Sequence, residues 1–241
     1  MTRLAALLLS LLWPACVIAD DRAEPFVEAN VLAIFYHEVG HAAIDVLGLP
    51  VLAQEEDAAD VLSVLLIDAL YEPDAAEGIA HDAAFGFLAE AEEGGEPAFW
   101  DVHGPDMQRY FNLVCLFYGA NPEEREDVAA DLGLPEERAD YCPDEYAQAA
   151  ESWGAVIDEL AENGPGDTLV LQIDDPEAAG ATLLADVLGA ELDALNAELS
   201  LPAPLPVIVA RCDEANAFYD AASQSITMCT EFVGHLAAQI E

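Results

Sequence analysis

Apolar residues recur with a helical period along most of the chain. From Pro25 to Leu47 the repeat runs through Phe26, Ala29, Ala33, Ile34, Ile44 and Leu47, with His37 and His41 on the same stripe. Gly48 and Pro50 close that helix. Glu55 to Tyr71 predicts a second helix, opening on acids where the helix dipole favours them, and Pro73 stops it. Asp74-Ala-Ala-Glu77 reads as a capping box for a third helix reaching Gly94-Gly95. Pro105 to Tyr118 predicts a fourth, a short fifth opens at Asn121-Pro122, and Pro135 starts one more turn. Asp144 to Glu162 follows, ended by Asn163-Gly164.

Strand signals are few and late. Thr168 to Ile173 is short and rich in β-formers, Pro206 to Arg211 is a second such run, and Ser225 to Cys229 a third after a loop holding Asp220 and Ser223. Ala178 to Leu199 returns to the helical period, and Thr230 to Ile240 closes the chain as a helix. Leu201 to Pro206 carries three prolines and reads as a stiff connector. No internal repeat and no domain boundary stands out. The pattern predicts one α+β domain, predominantly α-helical, with a small antiparallel sheet.

The N-terminus reads as an export signal. Arg3 precedes an apolar run from Leu4 to Trp13, and Val17-Ile18-Ala19 suits a signal-peptidase site. The expected division is a signal over residues 1–19 and one domain over 20–241, placing the protein outside the cytoplasm, secreted or periplasmic. A lipoprotein signal at Cys16 fits less well, because Leu or a similar residue is wanted three residues earlier and Trp13 followed by Pro14 stands there. Cleavage removes Cys16 and leaves Cys115, Cys142, Cys212 and Cys229. An even set in an exported chain suggests two disulfides. Four cysteines admit three pairings, and the sequence-local one, Cys115–Cys142 with Cys212–Cys229, is the expectation. No Cys-x-x-Cys pair supports a zinc–thiolate site instead.

Charge narrows the partners. Asp+Glu is 48 against Lys+Arg 6, a formal net charge of −42, and none of the basic residues is Lys. Such a surface repels phosphate, which argues against nucleic acid and against anionic membrane. Hydrophobic residues at 54% still provide a packed core.

The chemistry is concentrated at His37-Glu38-Val-Gly-His41. Residues four apart on a helix share a face. His37 and His41 can therefore offer two ring nitrogens to one Zn2+ ion, with Glu38 placed to take a proton from a metal-bound water. Two histidines on an otherwise apolar buried stripe would be costly as mere packing. Gly40 weakens the helix by about 1 kcal/mol yet allows a neighbour to come close. A catalytic zinc needs a third protein ligand and an open position. No third His follows in the motif, so a downstream acid is expected. Glu56 is the first choice, with Glu55 and Asp57 as rivals, and Asp60 would orient a histidine through its free N–H.

These residues, from His37-Glu-Val-Gly-His41 through Glu55-Glu-Asp-Ala-Ala-Asp60, Asp101-x-His103, Gln108-Arg109-Tyr-Phe-Asn112 and Cys115 to Asn216-Ala-Phe-Tyr-Asp220 and Cys229, resemble a bacterial metallopeptidase family classed as a domain of unknown function. The resemblance covers nearly the whole mature chain. It implies a zincin-like fold and a site of two His and a Glu, and it implies no substrate. His41 and Glu56 stand closer in sequence than the equivalent ligands of thermolysin-like enzymes, so Glu55 and Asp57 stay open as third ligands.

His103, in a loop before a helix, could stabilise an oxyanion or simply pack on Trp100. Tyr219 could offer its hydroxyl for the same purpose, and Asn216 to Tyr219 could form an edge strand that holds a peptide. His81 and His235 read as surface residues, the latter in contact with Glu231. The expected function is a zinc metallopeptidase acting on peptides or proteins, with a catalytically inactive zinc-binding module and a non-peptide metallohydrolase as alternatives.

Overall fold

A computed structural model describes residues 22–240. The export signal expected over residues 1–19 lies outside the described residues. Helix α1 (Ala23–Leu47) forms the centre of the molecule. Phe26, Val27, Val31, Phe35 and Tyr36 are at most 4% exposed, although they point to different sides of the helix. A helix apolar on every side has to be enclosed. Helices α2 (Glu55–Leu70), α3 (Pro73–Glu93), α8 (Ala181–Glu198) and α9 (Glu231–Ala238) pack around it. Polar groups that α1 turns inward are paired. Asn30 Nδ2 donates to the carbonyls of Phe26 (2.9 Å) and Asp82 (3.0 Å), and the Tyr36 hydroxyl donates to Glu191 on α8 (2.5 Å). Burial, reinforced by the Glu191 charge, pushes the Tyr36 phenol far up, so it stays a donor.

A second helical layer consists of α4 (Asp106–Ala120), α5 (Glu126–Asp131), α6 (Glu136–Ala139) and α7 (Cys142–Glu162). Helix α3 starts two residues earlier than its sequence suggests. Pro73 occupies the first helical position, where its missing N–H costs nothing, and Asp74 lies inside the helix and makes no cap.

The sheet holds β1 (Leu169–Ile173), β2 (Leu205–Ala210), β3 (Ala217–Asp220) and β4 (Ser225–Cys229) in the order β1-β2-β4-β3. It is mixed, which corrects the antiparallel expectation. β1 pairs parallel with β2, β2 parallel with β4, and only β3 runs antiparallel to β4. The reason is α8, which carries the chain from the end of β1 back to the start of β2 and so forces the two strands to run alike. Val207 and Val209 on β2, and Ile226 and Met228 on β4, are fully buried. β3 occupies the sheet edge and rests against α1.

Two disulfides join Cys115 on α4 to Cys142 at the start of α7, and Cys212 to Cys229 at the end of β4. They close segments of 27 and 17 residues, which on the chain-entropy argument stabilise by about 3 kcal/mol each. Reduction is expected to lower the thermal midpoint by more than ~10 °C, because those contributions are a large part of a domain's typical stability. Calorimetry with and without a reductant checks this, and an unchanged midpoint would refute it. Paired cysteines fit an oxidising compartment. Among the described residues no helix is long and apolar enough to cross a membrane.

Candidate metal centre

The site is built where α2 turns back against α1. Gly48 ends α1 in the left-handed region at φ 62°, its N–H bonded to the Asp45 carbonyl (3.1 Å), while Leu49 N–H bonds the Ile44 carbonyl (2.9 Å). That reversal returns the chain beside α1. The two helices then meet at Gly40 and Ala59. A Cβ on Gly40 would stand 2.8 Å from the Ala59 Cα, a contact that backbone cannot relieve locally. Glycine within the histidine motif therefore allows the approach that sets Glu56 and Asp60 against His37 and His41.

Three donor atoms converge. His37 Nε2 and His41 Nε2 are 3.1 Å apart, and Glu56 Oε2 lies 3.3 Å from the first and 3.2 Å from the second. The outer nitrogens are also held: His37 Nδ1 meets Asp60 Oδ1 at 2.7 Å, and His41 Nδ1 meets Glu55 Oε1 at 2.8 Å. With Nδ1 donating to a carboxylate, each neutral imidazole presents its Nε2 lone pair inward. Two such nitrogens and a carboxylate oxygen face one another, an arrangement that protons on the imidazoles or a cation between them would hold together. Tetrahedral coordination with bonds of about 2.0–2.1 Å sets donors about 3.3 Å apart. The separations here match that figure, so the residues fit a metal ion.

Proton affinities reflect the same crowding. Burial opposes charge on His37, but hydrogen bonds to Asp60 and Glu56 outweigh it and raise its pKa to about 9. His41 is raised likewise, burial again opposing and Glu56 and Glu55 prevailing. Hydrogen bonds from His103, His37 and His41 hold Glu56 far below the usual carboxylate range. Burial would raise Asp60, yet Arg109 and His37 bring it down to about 2. A pocket that stabilises extra protons on its imidazoles has the charge balance to accept a divalent cation in their place.

Glu38 faces the adjoining cleft, 5% exposed, and the cleft wall also includes His103 and Ala217. Burial raises its pKa against the pull of His37 and His41, and the backbone N–H of Tyr219 donates to its carboxylate. The Tyr219 hydroxyl itself is turned away and donates to Asp45 (2.7 Å). Tyr219 thus reaches the site through its amide, where the sequence suggested its phenol. His103 is brought in by the loop between α3 and α4. Its Nε2 lies 2.9 Å from Glu56 Oε2, and its Nδ1 is 3.4 Å from Asp101 Oδ1. The donor atoms of His37, Glu56 and His103 also lie within 4.8 Å of one another, a looser set than the triangle that His41 completes.

Of the rival acids, Glu55 holds His41 as Asp60 holds His37, and Asp57 bonds neither histidine. Arg109 stands in the family-like Gln108 to Asn112 stretch, but spacing alone assigned it no role. Its Nε and Nη2 both donate to Asp60 at 2.8 Å, and its guanidinium lies 4.4 Å over the Phe87 ring. His81 packs beside Phe85, away from the centre. His235 pairs with Glu90 at 2.5 Å, whereas Glu231 accepts from the backbone amides of Cys212 and Asp213.

Fold and site together describe an α+β protein whose clustered donors fit a metal ion, with a buried carboxylate beside them. The chain belongs to a family described as "Putative metallopeptidase", whose model matches residues 18–157 and 177–241 and so spans every residue of the centre. Neither the curated proteins nor the solved structures contain a match to it.

Proposed function

We propose that the protein is a zinc-dependent peptidase, exported with its signal removed, that hydrolyses peptide bonds in peptides or proteins. The observation that carries this reading is the triangle of His37 Nε2, His41 Nε2 and Glu56 Oε2 with Glu38 beside it. Two imidazoles and one carboxylate suit zinc, and they leave a coordination position open. When bound, the zinc ion supplies a Lewis acid that polarises a carbonyl and acidifies water. Glu38 takes the proton from the attacking water and passes it to the departing amine nitrogen. The Tyr219 N–H keeps the Glu38 carboxylate aimed during both transfers. His103, braced by Asp101, donates a hydrogen bond to the oxyanion that forms at the carbonyl under attack. β3, with no strand partner on its outer side among the described residues, offers backbone groups to an extended substrate. Edge strand and motif helix together support a zincin-like arrangement.

Turnover of quenched fluorescent peptides by the purified mature protein tests the proposal. A chelator such as 1,10-phenanthroline is expected to abolish cleavage, about one equivalent of zinc to restore it, and calcium to fail, because calcium prefers an all-oxygen shell. Cleavage that survives full removal of metal would sink the reading.

A further inference from the structure

A cavity of about 580 Å³ lies behind the metal centre, walled partly by His37, Asp60 and Arg109. It shares Ile34, His37, Arg109 and Phe232 with the cleft that holds Glu38 and His103, so the two spaces adjoin at the metal position. Along α1 its wall runs from His37 to Asn30, about 10 Å at the helical rise. Val64, Phe87, Leu113 and Leu116 make much of its surface apolar. Its charged lining is mostly acidic. Asp60 and Glu145 pair directly with Arg109 and Arg138, while Asp57 and Asp106 share the field of Arg109 at longer range.

Glu90, His235 and Gln239 stand together on the cavity wall. Gln239 Nε2 donates to Glu90 Oε1 at 2.6 Å, and His235 Nε2 lies 2.5 Å from the same oxygen. Gln239 Oε1 is buried without a hydrogen-bond partner, the one such side-chain atom among the described residues. Turning the amide over would set its oxygen against the Glu90 carboxylate, so its orientation is fixed by chemistry. Buried acceptors in folded proteins are normally satisfied, and this one lacks a donor.

We propose that this cavity receives the long cationic side chain, Lys or Arg, of a substrate residue flanking the scissile bond. The inference rests on the peptidase reading and names the substrate class for it. The methylene stem lies against the apolar wall, and the charged end donates to Gln239 Oε1 and Glu90. Lys and Arg carry donors and no acceptors, which complements a stretch of wall that has acceptors to offer. An uncharged side chain would leave those groups desolvated, and an acidic one would meet like charge. A net charge of −42 also draws cationic peptides toward the protein.

The test uses the zinc-loaded protein and quenched peptides that differ at one flanking position, carrying Lys, Arg, norleucine or Glu. Lys and Arg are expected to exceed norleucine by ~10-fold or more in kcat/KM, the scale of a hydrogen bond to a charged group. Gln239→Leu and Glu90→Gln should each shrink the Lys-to-norleucine ratio several-fold. A preference for norleucine or Glu, or a ratio unchanged in both variants, would overturn the proposal. A second arm needs no turnover: calorimetric titration of the zinc-loaded Glu38→Gln protein with blocked Gly-Ala-Lys-Ala and its norleucine counterpart. Tighter binding of the Lys peptide without cleavage by the unsubstituted protein would refute the peptidase reading and keep the cationic pocket. Equal binding, or none for either peptide, would refute the pocket.

Discussion

Glu38→Gln is expected to lower kcat/KM for peptide hydrolysis by ~10³-fold or more while zinc stoichiometry and thermal midpoint stay close to those of the unsubstituted protein, since general bases typically contribute 10²- to 10⁴-fold. The side chain is 5% exposed, and burial raises the pKa of its carboxyl group. Raising it moves the group toward the range in which a base both accepts and returns a proton near neutrality. Gln has almost the same volume and can still accept the Tyr219 N–H, so packing survives. What it lacks is a basic oxygen. Elemental analysis beside steady-state kinetics checks both halves of the expectation. Activity within a few-fold of the unsubstituted protein would remove Glu38 from the proton path. Unchanged zinc with no activity in either protein would instead favour a binding module over an enzyme.

Much of this centre could be read from local spacing, and what could not has a common cause. His37 and His41 are four apart on one helix, so their convergence follows from helix geometry alone. Glu56 and Asp60 repeat that spacing after a Gly48 reversal, and the space for a close helix pair is signalled by Gly40. The pairing of Glu55 with His41 depends on rotation of α2 about its axis, which no spacing reveals. Arg109 reaches Asp60 from α4, 49 residues away in sequence, and a single long-range contact leaves no periodic trace. The sheet direction was more legible than the antiparallel expectation allowed. A helix between Ile173 and Leu205 is itself the sign of a parallel pair. The Tyr219 hydroxyl goes to Asp45, one turn beyond His41 on α1, a contact 174 residues apart in sequence that no spacing foretells.

Scarcity of positive charge gives the placement of each arginine weight. Besides Arg109, Arg125 pairs with Asp68, donates to the Phe117 carbonyl (2.7 Å) and covers the Phe117 ring, all at 8% exposure. Arg138 pairs with Glu145 next to the Cys115–Cys142 bridge. These cations sit where a buried or half-buried carboxylate would otherwise be uncompensated. Arg109 is the one whose carboxylate touches a metal-position histidine, so it holds Asp60 ionised and, through Asp60, fixes the orientation of the His37 ring.

A ligand series separates the groups around Glu56. Glu56→Ala is expected to weaken zinc binding by more than ~100-fold, because it removes a donor from the coordination shell. Asp60→Ala and Glu55→Ala should each cost roughly 10- to 100-fold, the usual range for a carboxylate that orients a ligating histidine. Similar losses from the two acids follow from their similar distances, 2.7 and 2.8 Å, to the outer nitrogens. His103→Ala should leave zinc affinity within a few-fold and lower turnover by ~10²-fold, as loss of one oxyanion donor does. The distinction rests on support. His41 is fixed on the central helix with Glu55 behind it, whereas the His103 side chain is 45% exposed on a loop. Competition with a fluorescent zinc chelator gives the affinities, and the same preparations give the rates. If His103→Ala released the metal while His41→Ala retained it, the ligands would be His37, Glu56 and His103, and His41 would become the group available to the oxyanion.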